Sequence, residues 1–242
     1  MLPWPLVPKL PRLVAARLLD APLAALAWLM LERGVPVIVA GREAAVVGAL
    51  LDALSAALPR DRRPDPALGA GGGRLVRVAG RLDIDTPPGI LRAALGATTG
   101  RSGLAIAIDA DDLARVLTVL RGQGLTDDEI SFMGVVLVLG ARDTGPDAGA
   151  ADGHQLDAGG PARLVAAHYL RPVVLDAGGH PRRLPPAVLA TWDPAADAWD
   201  DYAWGIATDL AERVRMRLGD LEAERDRRAA ALTDHAGGEP VG

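Results

Sequence analysis

Cysteine is missing from the 242-residue chain, which excludes a disulfide framework and any zinc site built on thiolates. Lysine is nearly missing too. Of 26 basic residues only Lys9 is lysine, leaving 25 arginines. With Ala, Gly and Pro abundant, this skew reflects coding bias rather than an arginine-driven function. Aromatic residues make up 3 % of a chain that is 50 % hydrophobic, so the core has to be built from Ala, Val and Leu. Excess positive charge is also absent. The formal charge of -5 gives no electrostatic reason to expect nucleic acid or an anionic membrane as partner. The longest apolar run, Ala21–Leu31, is interrupted by Pro22 and is about half of the ~20 residues that a membrane span needs. Met1-Leu2-Pro3-Trp4-Pro5 lacks the basic region and cleavage site of a signal peptide. The expectation is a cytoplasmic protein, peripheral to a membrane at most.

What is present begins with a stretch at 34–54. Val35–Ala40 is a β-branched run suited to a buried strand, and Gly41 breaks it. From Val46 the apolar residues Val46, Val47, Leu50, Leu51 and Leu54 recur three and four apart, as on a helix. Strand, glycine turn and helix in this order are the layout of the phosphate-binding loop G-x-x-x-x-G-K-[ST], whose amides and helix N-terminus cradle phosphate. With Gly41 as the first glycine, Arg42 is the next residue. The second glycine then falls on Val46, the lysine on Val47 and the Ser/Thr on Gly48. These five positions are the candidate nucleotide-binding residues, although the ammonium and the metal-holding hydroxyl are both lost. An ordinary strand–turn–helix unit fits the pattern as well.

Around this unit the chain divides into a proline-rich arm with two helices (1–34), an α/β core (35–142), a Gly/Ala/Asp-rich flexible loop (143–161), an antiparallel meander (162–205), and a C-terminal helix with a polar tail (206–242). The arm is followed by helices over Leu13–Leu19 and Leu23–Leu31, with Pro22 at a helix start. Residues 59–73 read as a loop. Strands are expected at Leu75–Ala79, Leu104–Ile108 and Val135–Leu139, and helices at Gly89–Leu95 and 111–121. Asp109 is placed as the N-cap of the 111–121 helix, and Thr126-Asp127-Asp128-Glu129 has capping-box form. Turn residues at short intervals after 160 predict the meander from Leu164–Leu175, Arg182–Leu184, Ala187–Trp192 and Ala198–Tyr202. Ile206–Ala231 reads as one amphipathic helix.

These segments resemble a known family. A helical lead-in, "GVPVIVAG" with its helix, "GLAIAIDADDLARVL", "LTDDEISFMGVVLVL", "RLVAAHYLRPV" and "LPPAVLATWDPAAD" look like the ATPases of type II and type IV secretion and type IV pilus assembly, over roughly residues 20–205. The resemblance implies a P-loop-NTPase-like α/β fold, a mostly parallel sheet flanked by helices, with a C-terminal antiparallel meander and a terminal helix. It also implies motifs that this chain has lost. Beyond the altered loop, the family's threonine and histidine fall on Ile106 and Ile108, and Arg81 stands near the expected acidic residue of the Walker B strand. Asp83 and Asp85 lie just beyond, either as a displaced acidic pair or as turn carboxylates. Three degraded motifs imply a pseudo-ATPase, a structural or regulatory subunit without a cofactor. Its partners would be proteins, either secretion or pilus components or a second copy of itself. Two other readings stay open. One is an active nucleoside triphosphatase using ATP and Mg, with Arg42 or a neighbouring subunit's arginine in place of the lysine. The other is a free-standing interaction domain.

Other constellations are weaker. His154, His168, His180 and His235 are scattered, and no zinc-protease, serine-hydrolase or EF-hand pattern occurs. Asp109, Asp111 and Asp112 could hold a cation or cap a helix. Trp192, Trp199 and Trp204 cluster with Asp197, Asp200 and Asp201 at the end of the meander. They are the candidate interface residues, with core closure as the plainer reading.

Overall fold

The computed structural model describes residues 10–63, 75–98, 103–142 and 160–237. Among these, α1 (Leu10–Ala15) and α2 (Ala21–Glu32) lead into β1 (Val37–Ala40) and α3 (Ala44–Ala57). There follow β2 (Leu75–Leu82), α4 (Ile90–Ala97), β3 (Gly103–Ile108), α5 (Leu113–Gly122), α6 (Asp127–Ser131) and β4 (Gly134–Arg142). The C-terminal half supplies β5 (Gly160–Leu170), β6 (Val174–Leu175), β7 (Pro181–Arg182), β8 (Ala187–Asp193), β9 (Ala198–Asp201), α7 (Ala207–Val214) and α8 (Leu218–Gly237).

Seven strands form one mixed sheet in the order β2-β3-β1-β4-β5-β8-β9, and β6 and β7 make a separate two-stranded ribbon. The β2-β3-β1-β4 portion is parallel, with Ile38 opposite both Ile106 and Val136. From β4 onward every pairing is antiparallel. Of the expected meander, β5, β8 and β9 are therefore the second half of the same sheet, joined through the β4–β5 ladder, whereas the strand expected over Arg182–Leu184 shrinks to β7 of the ribbon.

Strand alternation sends side chains into two cores. Val37 and Val39 join the core beneath α1, α2, α3, α7 and α8, whereas Ile38 and Ala40 join the one beneath α4, α5 and α6. The central strands are buried on both faces, which is why they read as unbroken apolar runs. The Asp20 carboxylate caps α2 by accepting from the Leu23 amide at 2.9 Å, and Pro22 occupies its first turn, where a missing N–H costs nothing. Nearly all of α2 is buried, because α8 covers its outer side.

Several expectations need correction. The N-cap of α5 is Asp112, whose side chain accepts from the Arg115 amide at 2.7 Å, and not Asp109. The single helix expected over 206–231 is two. Arg215 adopts a left-handed conformation (φ 56°) after α7, and α8 begins three residues later. No glycine or proline marks that break. The strand expected over Leu164–Leu175 stops at Leu170, before Arg171 and Pro172, and resumes only as the two-residue β6. The loop expected at 143–161 lies outside the described residues up to 159, while Gly160 and Pro161 already belong to β5. The loop expected at 59–73 is described only through Arg63 and includes a short 3-10 turn at Arg60–Arg62. The extended arm expected at 1–11 lies outside the described residues up to 9, and residues 10 and 11 already belong to α1, which ends at Ala15 where a helix over Leu13–Leu19 was expected. The Thr126–Glu129 capping box is formed as expected.

Candidate functional site

The three residues Gly41, Arg42 and Glu43 connect β1 to α3. A phosphate-cradling loop keeps its second glycine in the turn and opens the helix near the lysine. Here the helix has already begun at Ala44, so Val46, Val47 and Gly48 all lie within its first turns. The amides of Val46 and Val47 both donate to the Glu43 carbonyl at 3.1 Å, and the Gly41 amide donates to Ile108 O at 3.1 Å. Amides engaged in this way are not directed at a ligand.

Gly41 has a packing reason to be glycine. A Cβ there would lie 3.0 Å from both Leu139 Cβ and Val47 Cγ2, tighter than ordinary contact. Val47 is correspondingly in the core at 1 % exposure, Val46 is half-buried, and a Cβ on Gly48 would meet nothing within 4 Å. The Val–Val pair is thus a helix packing onto its strand.

The charged groups around the turn are paired with one another. Arg81 follows Gly80, which is left-handed (φ 76°) at an irregularity in the β2–β3 register. From there its Nη1 donates to the carbonyls of Gly41 at 3.0 Å and Arg42 at 2.6 Å, and its Nη2 to Asp109 Oδ2 at 2.8 Å. The position near the expected Walker B acid therefore holds a cation that ties down the turn. Arg42, exposed at the rim, binds Asp111, with Nε 3.0 Å from Oδ2. That hydrogen bond and charge hold the Asp111 carboxyl below its usual range and raise the guanidinium of Arg42. Glu43 stands at the N-cap position of α3 without a side-chain capping bond, and its carboxylate opposes an incoming anion at the helix N-terminus.

A cleft of about 380 Å³ lies beside this turn, lined by Arg42, Glu43, Val46, Asp111, Leu139, Gly140 and Ala162. It opens at the carboxyl ends of the parallel strands, where α/β sheets commonly bind ligands. Its walls are largely aliphatic, and its polar groups are two carboxylates and a guanidinium already paired with one of them. None is a nucleophile beside a base. Ile106 and Ile108 are fully buried in the sheet. Asp83 and Asp85 form a turn: the Thr86 hydroxyl donates to Asp83 Oδ1 at 2.7 Å and the Asp85 amide at 3.0 Å. The Thr86 bond leads in lowering the Asp83 carboxyl. Among the described residues no three of His, Asp and Glu come together as a metal-binding group. His168, on β5, is half-buried, and burial lowers its pKa.

The three tryptophans do not form one patch. Trp192 and Trp199 face each other across β8 and β9, with ring centroids 4.6 Å apart at 62°. Beside them, over the Trp192 ring, lies a residue that sequence reasoning missed, Arg163. It is 3 % exposed, its guanidinium is 3.8 Å from the Trp192 centroid, and it pairs with Asp197 at 2.8 Å. Trp199 Nε1 also donates to Leu164 O at 2.9 Å. These rings bury a cation within their own sheet. Trp204, in the 3-10 turn Ala203–Ile206, is 75 % exposed and is the only one of the three turned outward. The amphipathic face of α8 is likewise occupied. Arg228, 5 % exposed, stacks 4.3 Å over Trp28 and pairs with Glu32 at 2.8 Å and Glu224 at 2.7 Å. In a chain with 25 arginines, nothing in the sequence separates these two buried ones from the rest.

No family model matches the chain, and no curated protein matches it. Among the described residues no helix is long and apolar enough to cross a membrane.

Proposed function

We propose that the protein is a non-catalytic relative of the motor ATPases of secretion and pilus assembly, a cytoplasmic structural or regulatory subunit that works through protein contacts and needs no cofactor. One observation carries the reading. The turn that would cradle phosphate is three residues long, its glycine is packed against Leu139 and Val47, and Arg81 holds its carbonyls. Phosphoryl transfer is catalysed mainly by positioning and charge stabilisation, and the groups that would provide them are absent or paired internally. The parallel β2-β3-β1-β4 order with β1 central supports a nucleotide-binding ancestry for the frame. Protein partners, whether secretion or pilus components or a second copy, fit a chain whose candidate site retains architecture without chemistry.

The test is phosphate release from ATP by the pure full-length protein with magnesium, alongside Arg42→Ala. The expected result is no turnover above buffer. Turnover abolished by Arg42→Ala would show a working enzyme with arginine in the lysine's role.

A further inference from the structure

At the opposite end of β1 from the Gly41 turn, Arg33, Arg62, Arg213 and Arg215 line a cleft of about 430 Å³ with Gly34, Val35 and Val214. Four arginines line it and, among the described residues, no carboxylate does, in a protein of net charge -5. Elsewhere among the described residues most arginines hold acidic partners, Arg81, Arg163 and Arg228 among them. None of the four cleft arginines has a carboxylate partner among the described residues. We propose that this cleft is a binding site for a compact polyvalent oxyanion, a di- or triphosphate group.

Two of the four are pre-positioned. Arg62 Nη1 donates to the Glu32 carbonyl, and Arg213 Nη2 donates to Phe132 O at 2.9 Å while its guanidinium lies 5.3 Å from the Phe132 ring. A guanidinium has five N–H donors, so each keeps most of them for a ligand, and its tether lowers the entropy lost on binding. Arg215 is the left-handed C-cap of α7, where the Met216 amide donates to Ala211 O at 2.9 Å, so the helix end fixes its backbone beside the cleft. Neutralising helix ends does not account for the cluster. α2 and α7 both end at this cleft, and two helix C-termini present together about one negative charge, against four positive ones. The volume lies within the range of small-ligand pockets. A pocket of this size is matched to a short phosphate chain rather than to a protein surface.

The inference is independent of the reading of the Gly41 turn. Its test is calorimetric titration of the full-length protein with sodium tripolyphosphate, without magnesium and at low ionic strength. The variants are Arg33→Ala/Arg215→Gly, in which glycine relieves the left-handed strain, and Arg121→Ala as a control at an exposed arginine outside the cleft. A urea unfolding midpoint confirms that each variant is folded. The expected result is saturable binding by the wild type that weakens as salt rises. The double variant should bind at least about tenfold more weakly, since charge-assisted hydrogen bonds are lost, and the control should be unchanged. A parallel titration with magnesium-free ATP separates sources, because tighter binding than tripolyphosphate would assign the ligand to nucleotides and equal binding to inorganic phosphate chains. No saturable binding by the wild type, or equal weakening in Arg121→Ala, would overturn the proposal. Displacement of tripolyphosphate by an oligoglutamate peptide of equal charge at lower concentration would also overturn it and reassign the cleft to an acidic protein segment.

Discussion

Restoring the lysine of a phosphate-binding loop at position 47 is expected to damage the fold instead of creating a site. From sequence alone, glycine, lysine and threonine at 46–48 looks like a repair that could recover binding. In the structure Val47 is a core residue at 1 % exposure, with its Cγ2 close over Gly41. Val47→Lys forfeits the burial of the isopropyl group, about 1.5–2 kcal/mol. It also forces an ammonium into an aliphatic site beside Leu139, which costs several kcal/mol more unless the side chain escapes or loses its proton. The sum, about 4 kcal/mol or more, is a large fraction of the roughly 5–15 kcal/mol that holds a typical domain together. The pH dependence has a definite sign. A buried lysine has a lowered pKa, so the unfolded chain binds the extra proton and the penalty shrinks as pH rises toward about 10.4, the unfolded value. Only the packing loss remains above it. Urea unfolding followed by tryptophan fluorescence, at neutral pH and again near pH 10, measures both parts. A Val47→Lys protein with a wild-type midpoint and new Mg·ATP binding would refute the reasoning, because the turn would then be able to open around phosphate.

Other outcomes follow from the same geometry. Gly48→Ala should stabilise the protein by about 0.5–1 kcal/mol, since it removes a glycine from the α3 interior where a Cβ meets nothing within 4 Å; a lower urea midpoint would show that the helix is misplaced. Glu224 is held at about 2, chiefly by its hydrogen bonds to Arg227 and then Arg228. This depressed carboxyl stabilises the fold above about 4.5 and stops doing so as pH falls toward about 2. Because Glu224 is partly in water, the contribution is set at about 1–2 kcal/mol. Glu224→Gln should show that deficit at pH 7 and lose it near pH 2 in a urea-midpoint series, and a gap unchanged with pH would remove the assignment. Truncation before Leu218 strips the buried Leu221, Leu232 and Arg228 from α2 and should cost more than about 5 kcal/mol; an undisturbed midpoint would mean that α8 is free to dock elsewhere.

The sequence revealed the parallel half of the fold because its strands are short apolar runs bounded by glycine, aspartate and proline, which carry their own boundaries. Capping was legible where the motif is local, as at Thr126. It was misread at Asp109, which a distant residue, Arg81, recruits as a counter-ion. The split between α7 and α8 was not legible because the left-handed residue is an arginine. The tryptophans were interface candidates with core closure as the plainer reading, and the sequence did not show that Trp192 and Trp199 close around Arg163 while Trp204 turns outward. Arg163 comes from a different strand, and no local pattern pairs it with rings some thirty residues away. The same blindness covers the arginine cleft, whose members come from the ends of two helices and a short 3-10 turn.

The central claim is that the β1–α3 turn is a packed connection that does not bind phosphate. Calorimetric titration of Mg·ATP into the Arg33→Ala/Arg215→Gly protein, with and without Arg42→Ala, tests it most directly, because that background weakens the arginine cleft as a second source of binding. The account predicts no magnesium-dependent binding that Arg42→Ala changes. Micromolar binding that persists in this background, needs magnesium and disappears on Arg42→Ala would contradict it.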